Sequence, residues 1–96
     1  MAFDGRIRYT SATLSPALVN ANTTEEQTFS NVPKVFAGDM ILAVNKPTAQ
    51  AGLAIGNYRV VTDSQVAIVF VNATGVGITP TAGEVYDIAI MAKQPK

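Results

Sequence analysis

Apolar residues along this 96-residue chain either alternate with polar ones or run together for five or six positions, and neither pattern has the 3.6-residue period of a helix. Period two and short apolar runs are strand signals. They predict strands over residues 6–14, 25–29, 40–45, 54–61, 65–71 and 85–92. The breaks carry turn chemistry: Ala37-Gly38-Asp39, Thr62-Asp63-Ser64, Asn72-Ala73-Thr74-Gly75 and Thr81-Ala82-Gly83. Pro16, Pro33, Pro47, Pro80 and Pro95 leave no room for a long helix. Residues 48–53, bracketed by Pro47 and Gly52, have space for one helical turn. Short strands separated by such turns define an all-β chain, an antiparallel β-sandwich or small barrel of jelly-roll-like character.

Two strands say more than the others. In residues 85–91, Tyr86, Ile88 and Ile90 fall on one face, and Val85, Asp87, Ala89 and Met91 on the other. That is a sheet with one covered face. Residues 66–71 have no polar side: Val66, Ile68 and Phe70 take one face, Ala67, Val69 and Val71 the other. A strand apolar on both faces needs cover on both, from a loop or from a second subunit. Left bare, it is an aggregation hazard.

Composition points the same way. Charged residues make up 15%, against roughly 25% for a typical soluble domain, and a charge-poor surface resists association badly. Net charge is zero but unevenly spread. Arg6, Arg8, Lys93 and Lys96 against Asp4 give the two ends +3. Lys34, Lys46 and Arg59 against Glu25, Glu26, Asp39, Asp63, Glu84 and Asp87 give residues 9–92 a charge of −3. Basic ends on an acidic body suit docking arms as well as solvated termini. The absence of cysteine excludes disulfides and thiolate zinc sites. No apolar run approaches the roughly 18 residues that span a membrane. The first ten residues hold Asp4, Arg6 and Arg8 where a secretion signal needs an apolar stretch.

Catalytic equipment is sparse. Without histidine or cysteine, the commonest general base, nucleophile and transition-metal ligands are missing. A glycosidase pair needs two carboxylates facing each other across a cleft, whereas adjacent Glu25 and Glu26 point to opposite faces of a strand. Asp39, Asp63 and Asp87 lack the close spacing of a calcium loop and read as two turn residues and a solvent-facing strand residue. Gly75-Val76-Gly77 lacks the further glycine and lysine of a phosphate loop. Arg6, Arg8 and Tyr9 alone are too few for a nucleic-acid surface. The expectation is a protein that is not an enzyme, with no cofactor, no metal, no nucleic-acid partner and no membrane contact.

Longer phrases add a family likeness. Thr13-Leu14-Ser15-Pro16, Val19-Asn20-Ala21-Asn22-Thr23-Thr24 and Gln27-Thr28-Phe29 resemble a pattern in small virion proteins of tailed bacteriophages. Gly38-Asp39, Lys46-Pro47-Thr48, Ala51-Gly52-Leu53-Ala54-Ile55 and Arg59-Val60 continue it, as do residues 66–74 and 78–84. The resemblance covers residues 13–92. It implies a β-sandwich module, often trimeric, that serves as a capsid decoration (cement) protein or as a fibre module.

On that likeness residues 1–12 form an N-terminal arm and residues 13–96 a single β-sandwich domain, with 6–10 as an alternative edge strand. The expected function is structural: a virion protein made in the host cytoplasm, not secreted, that binds the major capsid protein on the capsid surface as a homotrimer. Phe3, Arg6, Arg8 and Tyr9 are the expected shell contacts, since arginines beside aromatics dominate protein–protein hot spots. Val69 and Val71 are the expected contact between copies. The alternative is a tail-fibre or receptor-binding adhesion domain, disfavoured by the lack of tryptophan and the presence of only three tyrosines to stack on sugars.

Overall fold

The computed structural model describes residues 7–93. They form six strands: β1 (Ile7–Leu14), β2 (Thr23–Phe29), β3 (Met40–Asn45), β4 (Leu53–Thr62), β5 (Gln65–Asn72) and β6 (Glu84–Met91). Each lies where alternation and turn chemistry placed it, with ends shifted by one or two residues. Two three-stranded antiparallel sheets result, ordered β1-β6-β3 and β2-β5-β4. They pack face to face as a small β-sandwich, which resolves the choice between sandwich and barrel. The stretch 48–53 contains one turn, closed by Leu53 N–H donating to the Gln50 carbonyl at 3.0 Å.

The central strands β5 and β6 supply the interior. Val66, Ile68 and Phe70 face Tyr86, Ile88 and Ile90, all with no exposed surface. Burying each such side chain contributes about 1.5–3 kcal/mol. Loops seal the two ends. At one, the 30–39 connection inserts Val32 and Val35 beside Ile41 and Ile90, and its Pro33 carbonyl accepts from the buried Thr10 hydroxyl at 2.7 Å. At the other, Asn72 is 1% exposed and ties three segments together. Its amide nitrogen donates to the carbonyls of Val19 (3.1 Å) and Val76 (2.8 Å), and its amide oxygen accepts from the Thr74 backbone N–H and hydroxyl. The turn before β6 needs Gly83, whose φ of +72° is costly for other residues; its N–H donates to the Leu14 carbonyl.

The arm boundary at residue 12 needs correction. Ile7–Leu14 pair in unbroken register with Met91–Glu84, so residues 7–12 belong to the sandwich. Arg8, Thr10, Ala12 and Leu14 point inward and Ile7, Tyr9, Ser11 and Thr13 outward. Only residues 1–6 remain for an arm, and Phe3 and Arg6 lie outside the described residues.

Candidate protein-binding surfaces

The six acids among the described residues are held in structural roles. Glu26 pairs with Arg59, Asp39 with Arg8 and Glu84 with Lys46. Glu25 accepts from the Asn20 backbone N–H, Asp63 from that of Ala37, and Asp87 from the Ser11 hydroxyl. No group of three or more potential metal ligands occurs among the described residues. A cavity of about 170 Å³ lies between residues 46–50 and the strands β4 and β5, lined by Lys46, Thr48, Gln50, Leu53, Ile55 and Phe70 among others. Beside it the Lys46 and Glu84 side chains are 10% and 9% exposed and pair at 3.2 Å. A hydrogen bond from the Thr48 hydroxyl, helped by Lys46, holds the Glu84 carboxyl below its ordinary value. Burial, with Glu84 nearby, pushes the Tyr86 phenol up to about 12, and that hydroxyl has no hydrogen-bond partner. The arrangement pairs the Lys46 and Glu84 charges at the rim of this cavity.

The surface is more informative, and its two sheet faces differ. On the β2-β5-β4 sheet, the outward residues of β5 are Ala67, Val69 and Val71. Glu26 stands opposite Val69 on β2, and Arg59 stands opposite Ala67 on β4. Their side chains meet above β5 through two hydrogen bonds of 2.9 and 3.0 Å. The strands on either side lie about 10 Å apart, so this fork crosses β5 between the levels of Val69 and Ala67, and Ala67 is fully buried. Those hydrogen bonds lower the Glu26 pKa and raise that of Arg59. Val69 and Val71 are half-buried; Gly56, at a bulge in β4, lets Val71 lie close, for a Cβ there would meet its Cγ2 at 2.9 Å. Ala67 on the two-sided apolar strand is covered within its own sheet, a solution sequence reasoning did not weigh, while Val69 and Val71, the expected contact between copies, stay half-buried.

The outward face of β1-β6-β3 is different. Its first row is Ile7–Met91–Met40 and its second Tyr9–Ala89–Ala43, with Leu42 bulging between the rows. Tyr9 is 74% exposed and Met40 64%, and Ile7 and Leu42 are exposed as well. Beyond them the third row, Ser11–Asp87–Asn45, is polar. Sequence reasoning expected Tyr9 as a shell contact, grouped Ile7 with it only in the alternative edge strand, and did not single out Met40 or Leu42. Three consecutive apolar residues, Met40-Ile41-Leu42, were the available signal, since alternation must expose some of them.

Arg8 leaves this face and points into the end of the sandwich. Its guanidinium binds Asp39 and the Lys34 carbonyl, and its centre lies 5.3 Å from the Phe36 ring centroid. Asp39 also accepts from the backbone N–H groups of Phe36 and Lys93, which fixes the loop that carries Phe36. Phe36 is 54% exposed and was not singled out from sequence. Of the expected shell contacts, Arg8 and Tyr9 thus lie on adjoining surfaces of one end, and Phe3 and Arg6 fall outside the described residues. No helix among the described residues is long and apolar enough to cross a membrane. Comparison with protein-family models, curated proteins and solved structures finds no match to the chain.

Proposed function

We propose that the chain is a non-enzymatic structural component of a virion, a capsid decoration (cement) protein that binds and stabilises the shell built by the major capsid protein. The observation that carries this reading is the Arg8–Phe36 pair. An aromatic ring, half in solvent, sits beneath a guanidinium already locked by Asp39. Arginine and aromatic side chains lead among interface hot spots, and anchors ordered before binding lose little freedom on docking. The likeness of residues 13–92 to small phage virion proteins, the all-β sandwich and the structural employment of the acids support the same reading. A module that binds only the assembled shell stabilises that state by mass action, and many copies multiply the effect.

The fibre reading retains one observation in its favour. Tyr9 stands exposed beside the polar row of Ser11, Asp87 and Asn45, as a ring that stacks on a sugar would. Co-sedimentation with expanded shells lacking the protein separates the two. Phe36→Ser should keep the melting temperature and lose shell binding about tenfold or more. Deleting residues 1–6, which spares β1 while removing Phe3 and Arg6, should weaken binding further. Full-affinity binding by Phe36→Ser contradicts the shell-binding reading, and glycan binding abolished by Tyr9→Ala in its place supports the fibre.

A further inference from the structure

We infer that the outward face of the β1-β6-β3 sheet is a self-association surface: two copies of this chain pack this face against each other about a two-fold axis, with their β6 strands antiparallel. The inference stands apart from shell binding, which uses the Arg8–Phe36 end.

The edges of the sandwich do not invite strand addition. β1 carries Arg8 and β2 carries Glu25 as inward-directed charges, while β3 is bulged at Leu42 and β4 near Gly56 and Val61. These are the devices that keep sheet edges from pairing with other chains. Association therefore falls to a face, and on β2-β5-β4 the Glu26–Arg59 fork sets charge above the middle, where Ala67 is buried, and leaves Val61 exposed at one edge.

The open face is self-complementary in charge. Outward positions on β6 run Val85, Asp87, Ala89 and Met91, and the exposed Lys93 continues the alternation, its stem lying against Gly38. Asp87 and Lys93 bracket the apolar rows at equal distance from their middle. They are about 20 Å apart in one copy, too far to interact across water and salt. With the strands antiparallel about an axis between Ala89 and Met91, each Asp87 faces the Lys93 of the second copy. Tyr9, Ile7, Met91 and Met40 then fill the centre. Parallel stacking would set Asp87 on Asp87 and Lys93 on Lys93, so charge selects the antiparallel arrangement.

The area sets the strength. Three strands and eight residue steps cover about 27 Å by about 14 Å, on the order of 400 Å² per copy, below the roughly 800 Å² per partner of a standard interface. Tyr and Met without central charge match the composition of interface cores. The face therefore fits a micromolar dimer that multivalent attachment to a larger surface reinforces.

Sedimentation equilibrium of the full chain across micromolar concentrations should show a monomer–dimer equilibrium. Ala89→Arg should stay folded by circular dichroism and weaken the dimer about tenfold or more. Should Ala89→Arg lose its fold, Met40→Lys carries the same test at a 64% exposed position. Asp87→Lys and Lys93→Asp should each weaken the dimer about threefold, and the double variant should recover it. Recovery reads only a contact between copies, because the two residues do not reach each other within one. A chain that stays monomeric hands the face to another protein, a trimer demands another symmetry, and a double variant no tighter than either single removes the antiparallel pairing; each overturns the inference.

Discussion

The two central strands each place an alanine in the middle of an outward sheet face, and the surroundings of those alanines differ. Ala67 on β5 is fully buried beneath the Glu26–Arg59 fork, with Val69 and Val71 half-covered beside it. Ala89 on β6 lies between Tyr9 and Ala43, with apolar neighbours that extend into solvent and no charge above it. One face has its middle covered within a single chain, with Val61 exposed at its edge, and the other has its middle open. The lesson is that an apolar strand face does not by itself mark an interface. What decides is whether long side chains on the neighbouring strands can close over it. Long charged side chains, with apolar stems and wet heads, are suited to that closure; the neighbours of β6 are Tyr9, Ser11, Ala43 and Asn45, too short or too apolar to do the same.

The sharpest way to break this contrast is to place the same charge on both alanines. Ala67→Asp should fail to fold or lose about 3 kcal/mol or more, because it strips a carboxylate of water beneath a guanidinium that Glu26 already occupies. Ala89→Asp should cost under about 1 kcal/mol, as surface substitutions do, while abolishing association. Urea unfolding of the two variants checks it, and equal losses would show that the β1-β6-β3 face is not open. Next in size is Gly56→Ala, whose new Cβ would press on Val71; overpacking of this kind costs about 1–3 kcal/mol. A neutral result would mean that Val71 is free to move off the face.

The interior shared by both sheets sharpens the comparison through pH. Tyr86 ionises near 12 in the folded chain and near 10 when unfolded. Its contribution is therefore full below pH 10 and is lost as pH rises from 10 through 12. Tyr86→Phe should flatten that alkaline limb without lowering the neutral melting temperature, since the hydroxyl it removes is buried without a partner. The smallest effect belongs to the fork. Glu26 has a lowered pKa in the fold, so its contribution is present above its ordinary value of 4.5 and fades as pH falls from there through the folded value. Glu84 behaves alike, so Glu26→Gln isolates the surface share. Its acid limb should differ slightly from wild type, and the difference should shrink in high salt.

Much of the fold was legible in the sequence. Turn residues and alternation located the strands, and the inward set Tyr86, Ile88 and Ile90 followed from period two alone. The arm boundary was set at residue 12 because the family likeness begins at Thr13, although alternation already marked a strand over 6–14; its pairing with Met91 spans the whole chain and no local pattern reports it. The cover over Ala67 was hidden for the same reason. Glu26 and Arg59 meet only because β2 and β4 flank β5, and sheet order is not written in periodicity. Phe36 escaped notice because a loop, not alternation, sets its exposure, and Leu42 because it sits in a continuous apolar run that hides which positions face out.

Side-chain footprinting of dilute and assembled protein shows which of the two outward faces meets a second copy. Tyr9 and Met40 should label readily when dilute and become protected on assembly, while Val69 and Val71 label equally in both states. Protection confined to Val69 and Val71, with Tyr9 and Met40 unchanged, would contradict self-association through the β1-β6-β3 face.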